Sequence, residues 1–364
     1  MKALKALILC SALIPSLRAE EDPKLIEVAS FGKNQPIGMA AASNPQRVFV
    51  SFPHKEPFLY ALTEIVKGER VPFPDAAWNK YDPANEQACF VNVQDLFVDR
   101  LDDLWVLDSA PSGSASIFGG AAGEGKFKLV CIDLEGNKVE RVYDFADLPK
   151  TGSALNDVCV DHTHKLAYLS DPGLKAIVVM DLGSGSSRVV LKEDPATLAA
   201  PGFVLHLDGK DVVGGNGKPF VSNVNGVALT KDDRYFYFRA INQTKLYRIE
   251  TKHLADATLT EKDLSAKVET VADTGVCHGM VADEKGNVYL TDSVRKEIRY
   301  VTPAGEVKTL VKDDRLIWPD SLGIGSDGFL YLTAAQMHRL PNYNSGENRV
   351  EYPFRAYKVA LPRD

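Results

Sequence analysis

Five polar residues fall at matched places in a chain that repeats itself: Gln94, Asn156, Asn225, His278 and Asp320. Each stands eleven or twelve positions ahead of an aromatic residue, namely Trp105, Tyr168, Tyr237, Tyr289 and Tyr331. Ile37 stands in the same relation to Phe49. Gathered in one concavity, these side chains could support three kinds of chemistry. His278 and Asp320 could exchange protons with a small ring, with His278 titrating near neutrality. Gln94, Asn156 and Asn225 could hold a ligand through hydrogen bonds. Asp320, Asn156 and Asn225 offer hard oxygen donors for a divalent ion such as Ca²⁺, which would polarise a carbonyl and activate water. Singly, each Asn or Asp is also an ordinary turn former. Their shared register is what marks them out.

The elements that must position them are hairpins. From Trp318 to Thr333 a polar residue precedes a short strand, an Asp-Gly turn follows, and a second strand carries an aromatic. The same order recurs from Cys277 to Asp292, from Asn225 to Phe238, from Asn156 to Asp171, from Gln94 to Asp108, and from Ile37 to Ser51. Apolar segments such as 127–133, 176–182, 245–250 and 297–302 supply third strands. A four-stranded blade takes about 40–50 residues, and six such units predict an all-β, six-bladed β-propeller. The first strand of every blade lines the axis, so the matched positions form a ring at one mouth of the channel. Strand Leu25–Phe31 is expected to close the ring by pairing with Phe354–Leu361, which protects an edge.

The chain has 364 residues, 45% of them hydrophobic, and a net charge of −7. That supports a large core and disfavours nucleic acid or an anionic membrane surface as partner. A closed ring of blades has no need of a second copy, so a monomer is expected. Lys2 and Lys5 precede an apolar run from Ala6 to Leu17, and Ala19 precedes Glu20. Residues 1–19 read as a signal peptide, leaving 20–364 as one exported propeller domain, secreted or periplasmic. Cys131 and Cys159 lie within apolar strands and read as free core thiols. The His162-x-His164 pair sits in a turn without a third ligand and reads as surface. Asp108, Asp171 and Asp292 end second strands and read as turn caps.

The run Gln94-Asp95-Leu96-Phe97 through Leu104-Trp105-Val106-Leu107-Asp108-Ser109, the approach Val71-Pro72-Phe73-Pro74-Asp75, the stretch Trp318–Thr333 and the close Pro353-Phe354-Arg355-Ala356-Tyr357 carry a resemblance to a known family. Through them the whole chain beyond residue 19 resembles the major royal jelly protein/Yellow family, and in particular its members named as dopachrome tautomerase-related. The resemblance implies a six-bladed propeller that binds, and in some members converts, small ring compounds. A more distant similarity, through Asn225-Gly226-Val227 and His278-Gly279-Met280, runs to gluconolactonase-like propellers, which hold a divalent metal in the channel. Three readings therefore stand. The first is a tautomerase-type isomerase using His278 and Asp320. The second is a metal-dependent sugar-lactone hydrolase using Asp320, Asn156 and Asn225. The third is a non-catalytic binder of small molecules such as amines.

Overall fold

The computed structural model describes residues 24–43, 46–113 and 123–362. The expected signal peptide lies outside them. The described strands form six four-stranded antiparallel sheets, one per blade. Blade 1 runs from Met39 to Pro72, blade 2 from Val93 to Asp144, and blade 3 from Val158 to Val190. Blade 4 spans Val224 to Asp273 and blade 5 spans Met280 to Lys312. Blade 6 takes Pro319–Ile324, Phe329–Ala334 and Arg355–Ala360 from the C-terminal end. Its outermost strand is Ile26–Ser30, paired with Arg355–Ala360. The ring is thus closed by strand pairing between the two ends of the chain, as the sequence predicts. The first strands of successive blades pack side by side around the axis, and that of blade 6 meets that of blade 1.

The aromatic repeat has a physical cause. All six anchors are buried in second strands. In four blades the polar head of the anchor donates to an aspartate at the turn after the first strand. Trp105 Nε1 reaches Asp99 at 2.7 Å, and the hydroxyls of Tyr168, Tyr289 and Tyr331 reach Asp161, Asp283 and Asp327 at 2.7, 3.0 and 2.7 Å. One residue type so fills the space between sheets while its polar tip satisfies a turn carboxylate. In blade 4 the Tyr237 hydroxyl instead accepts from Arg248 at 3.3 Å. Phe49 of blade 1 has no polar head and packs on Phe73. His162 and His164 do not converge: His162 reaches across to the blade 2 turn aspartate Asp99 and His164 bonds Asp161 of its own turn, each at 2.7 Å. Asp108, Asp171 and Asp292 each accept from backbone N–H groups of nearby turns, so they cap them. Cys89, Cys131, Cys159 and Cys277 are all buried and unpaired.

Two insertions depart from the bare blade plan. Segment 191–223, between blades 3 and 4, carries a small hairpin of His206–Leu207 and Lys210–Asp211. Segment 335–354 separates the second and third strands of blade 6. Leu205, Leu207, Val212 and Phe220 from the first insertion pack with Met337 and Tyr343 from the second, over Ile37, Ile241, Val276 and Trp318. Asp208 ties the two together through His338 and Arg339 at 2.9 and 2.8 Å. The result is a cap with its own apolar core. It covers one side of the channel mouth, above blades 4, 5 and 6.

Candidate functional site

Ile37, Gln94, Asn156, Asn225, His278 and Asp320 all line one cavity on the axis, of about 70 Å³. Each belongs to a first strand or to the residue or two ahead of it, where the backbone comes nearest the axis. Two devices hold these strands close together. The first is a set of second-strand hydroxyls that donate across the blade boundary: Ser109 to Leu155 O at 2.6 Å, Ser170 to Asn225 O at 2.5 Å, and Thr333 to Ile37 O at 2.6 Å. The second is glycine. A Cβ on Gly279 would sit 2.1 Å from Asp320 O, and one on Gly226 would sit 2.6 Å from His278 O. These positions follow His278 and Asn225 directly, so close approach of adjacent strands excludes a side chain there.

The same register, one residue on from Gln94 and Asn156, holds Asp95 and Asp157. With Asp320 they place three carboxylates in the cavity. Asp95 accepts from the Val158 N–H at 2.9 Å. Asp157 accepts from Asn156 Nδ2 at 2.6 Å. The Asp320 carboxylate has no hydrogen-bond donor among the described residues. Asp157 and Asp320 keep some surface toward the cavity, but the surrounding blades remove both from bulk solvent. Burial, with Asp95 close by, pushes the Asp320 carboxyl up to about 7. Burial likewise lifts Asp95 to about 7, against the bonds from Val158, Leu96 and Ser321. Asp157 is raised well above the usual range by burial and by both other carboxylates. Like charges in a low-dielectric cavity disfavour joint ionisation.

His278 differs from the sequence expectation. It is 1% exposed and lies beneath the cap, stacked on Trp318 with ring centroids 4.1 Å apart. Its Nε2 is 2.7 Å from the Ser293 hydroxyl, and its Nδ1 has no partner. Burial, with the charges of Arg239 and His338 nearby, drives its pKa down to about 3. The imidazole is therefore neutral across the physiological range and does not titrate near pH 7. The groups poised there are the carboxylates. Asp320 was among the expected site residues. Asp95 was not, although its place one position along the repeat was a readable signal.

Above the axial cavity, on the side the cap leaves open, lies a chamber of about 720 Å³. Blades 1 to 3 and the flank of the cap wall it. The walls are mainly apolar, with Pro53, Val91, Pro111, Leu155, Pro172, Val221 and Leu340 among them. Ile37, Gln94, Asn156 and Met337 line both spaces and form the floor between them. Gln94 Nε2 donates to Asn156 Oδ1 across that floor at 3.2 Å. Asn225, His278 and Asp320 line the inner cavity and not the chamber. A water needs about 10–15 Å³ of such space, whereas a cavity that holds benzene is about 150 Å³. The inner cavity thus has room for a few waters and the chamber for a ring.

The donor set for a calcium-like ion is incomplete. Asn156 has its carbonyl oxygen committed to Gln94 and its amide nitrogen to Asp157. Among the described residues no group of three or more His, Cys, Asp or Glu side chains is placed to hold a metal. Asp320, Asn156 and Asn225 share the cavity, and of the three Asn156 already has both its amide oxygen and its amide nitrogen engaged.

Comparison with known proteins agrees with this architecture. The fold is similar to a gluconolactonase from Xanthomonas campestris, with 10% identity, a TM-score of 0.55, and coverage of 94% of this chain and 91% of that one. It is similar to calcium-binding regucalcin from Agrobacterium tumefaciens at 13% identity, TM-score 0.55, and coverage of 93% and 95%. Virginiamycin B lyase from Staphylococcus aureus is similar at 14% identity, TM-score 0.52, and coverage of 94% and 100%. At such identities the likeness is one of fold. No curated protein matches the sequence. The profile described as major royal jelly protein matches residues 91–362, and the chain belongs to that family.

Proposed function

We propose that this member of the major royal jelly protein family takes a small ring compound into the open chamber and shifts protons on it, as dopachrome converters do. The observation that carries the reading is the division of space. A ring-sized, mostly apolar chamber of about 720 Å³ sits directly on a water-sized, carboxylate-lined cavity of about 70 Å³. General acid–base transfer needs a group within hydrogen-bond reach or one water away, with a pKa near the working pH. Asp320 and Asp95, both lifted to about 7, meet the second condition. Water in the inner cavity would supply the first. His278 then serves as a neutral strut under the cap rather than as the base. Gln94 and Asn156 at the floor contact the ligand, while Asn225 helps shape the cavity below.

A binding protein without turnover is the second reading. What favours it is that the carboxylates lie beneath the floor rather than in the chamber wall. The metal-dependent lactone hydrolase is the weaker alternative, because Asn156, one of its three oxygen donors, has its amide engaged with Gln94 and Asp157. One screen separates these readings: dopachrome and a panel of sugar lactones, each with and without chelator, alongside metal analysis of the purified protein. Chelator-insensitive tautomerisation that falls at least tenfold in Asp320→Asn supports the proton-shift reading. Saturable binding of ring compounds without turnover supports the binder. Chelator-sensitive lactone hydrolysis would overturn both. The same proposal takes the protein as exported through segment 1–19 and as working alone. A mature N-terminus at Glu20 and a monomer mass in solution are the results expected.

A further inference from the structure

A second space adjoins the chamber. It is a pocket of about 210 Å³ that shares Gln35, Pro53, Lys55, Leu340 and Pro341 with the chamber wall. Its unpaired charge is of one sign. Lys33 and Lys55 both line it, and neither ammonium has an ion pair or a hydrogen bond among the described residues. Lys33 faces the ring of Tyr352, 5.9 Å from its centre. A third cation stands behind the wall: Arg70 donates to Asn34 Oδ1 at 3.0 Å and lies over the Phe52 ring, and it too has no ion pair among the described residues. Glu56, the one carboxylate among the described lining residues, accepts from the Phe58 N–H at 3.3 Å and pairs with none of the three cations. The side-chain oxygens of Asn34 and Asn348 are taken by Arg70 and by the Val350 N–H. Burial lowers the Lys55 pKa and no neighbouring carboxylate raises it, as expected of an ammonium without a counter-charge. In a chain of net charge −7, three unpaired cations around one pocket reverse the sign locally.

We infer that this side pocket is an anion subsite of the chamber: a ring compound lies in the chamber, and a carboxylate on a short arm reaches the ammonium groups of Lys33 and Lys55. Arg70 adds its charge from behind Asn34. The aromatic and proline walls, with Phe52, Pro53, Phe58 and Tyr352 among them, strengthen the attraction by excluding water. An amine on the same arm would meet like charge. This rests on the reading of the chamber as a binding site and adds to it the charge of the ligand.

The test uses three fluorescent probes of similar shape and different charge, titrated into the full chain: 2-naphthaleneacetate, its neutral amide, and the cationic 2-(2-naphthyl)ethylamine. Both lysines keep part of their surface in water, so each is worth about threefold in affinity and the two together about tenfold. The acid should bind about ten times more tightly than the amide, and the amine more weakly than either. Added salt should shrink the acid-to-amide ratio. Lys55→Met should reduce it to about threefold, and the double variant Lys33→Met, Lys55→Met to within about twofold, with the affinity for the amide held. An acid no tighter than the amide, or a ratio untouched by the double variant, would overturn the subsite while leaving the chamber as a binding site for the neutral probe. Tightest binding of the amine would reverse the sign of the inference. Binding of none of the three would remove the chamber reading as well. The wild-type ratios need no variant, so they decide the selectivity even if the double variant fails to fold.

Discussion

Replacing Asp320 by Asn removes one ionisable group from the axial cavity and keeps its shape. In the folded protein Asp320 holds its proton up to about 7 against an ordinary 3.8, through burial and the nearness of Asp95. The unfolded chain releases that proton near the ordinary value. Between the two, the folded state binds more protons than the unfolded one, so this group lowers stability as pH rises through that window and changes little above it. A difference of about three pK units at about 1.4 kcal/mol each gives a cost on the order of 4 kcal/mol at pH 8, and under about 1 kcal/mol at pH 4. Water in the cavity reduces the figure, while relief of Asp157, which also feels Asp320, adds to it. Asp320→Asn should therefore be more stable than the wild type by roughly 2–4 kcal/mol at pH 8. For a chain of this size that is a rise in Tm of roughly 3–6 °C. At pH 4 the two proteins should melt within about 1 °C of each other. Thermal unfolding at pH 4, 6 and 8 reads this directly. A variant that is less stable at pH 8, or a gain equal at all three values, would show an ionised and satisfied carboxylate and refute the reasoning.

Three further substitutions probe the rest of the structure. His278→Gln should change turnover or ligand affinity by less than about threefold and leave the pH profile in place, because the imidazole is already neutral; loss of the Trp318 stack should cost about 1 kcal/mol in urea unfolding. Tyr168→Phe takes the hydroxyl from Asp161, which keeps its bonds from His164, and should destabilise by about 1–2 kcal/mol with no effect on ligand binding. Gly279→Ala places a Cβ 2.1 Å from Asp320 O, and backbone cannot swing aside as a side-chain tip can. It should cost 3 kcal/mol or more and shift probe binding along with stability, whereas an unchanged melting curve would mean that the first strands of blades 5 and 6 are not held so closely.

The blade plan was legible because each blade repeats one physical solution. The aromatic anchor, its turn aspartate and the alternating strand between them are local, so their spacing survives in the linear sequence. The closing strand was legible for a related reason: a ring of blades leaves one unpaired edge, and the apolar segment Leu25–Phe31 was available to fill it. The axial ring followed from the same register. Asp95 could have been read by moving one residue along, where Asp157 also lies, but the repeat there is filled unevenly. Glycine takes the equivalent place in blades 1, 4 and 5, at Gly38, Gly226 and Gly279, and masks the two carboxylates as exceptions.

What the register could not convey is which ring members see a ligand. That depends on two insertions with no counterpart in the other blades. Segments 191–223 and 335–354 meet each other through Asp208, His338 and Arg339, contacts more than a hundred residues apart in sequence. By roofing blades 4 to 6 they bury His278 and lower its pKa, which reverses the role its residue type suggests. They leave blades 1 to 3 open, and there three second strands are followed by Pro53, Pro111 and Pro172, all in the chamber wall. Proline after a strand ends the ladder without leaving an unpaired N–H, so it suits an apolar wall at a strand end. The cap therefore does more than cover. It breaks the near-sixfold symmetry of the axis, assigning Gln94 and Asn156 to the chamber floor and the carboxylates to the cavity beneath. In a bare propeller all six positions would be equivalent, and none would face a ring-sized space in preference to the others.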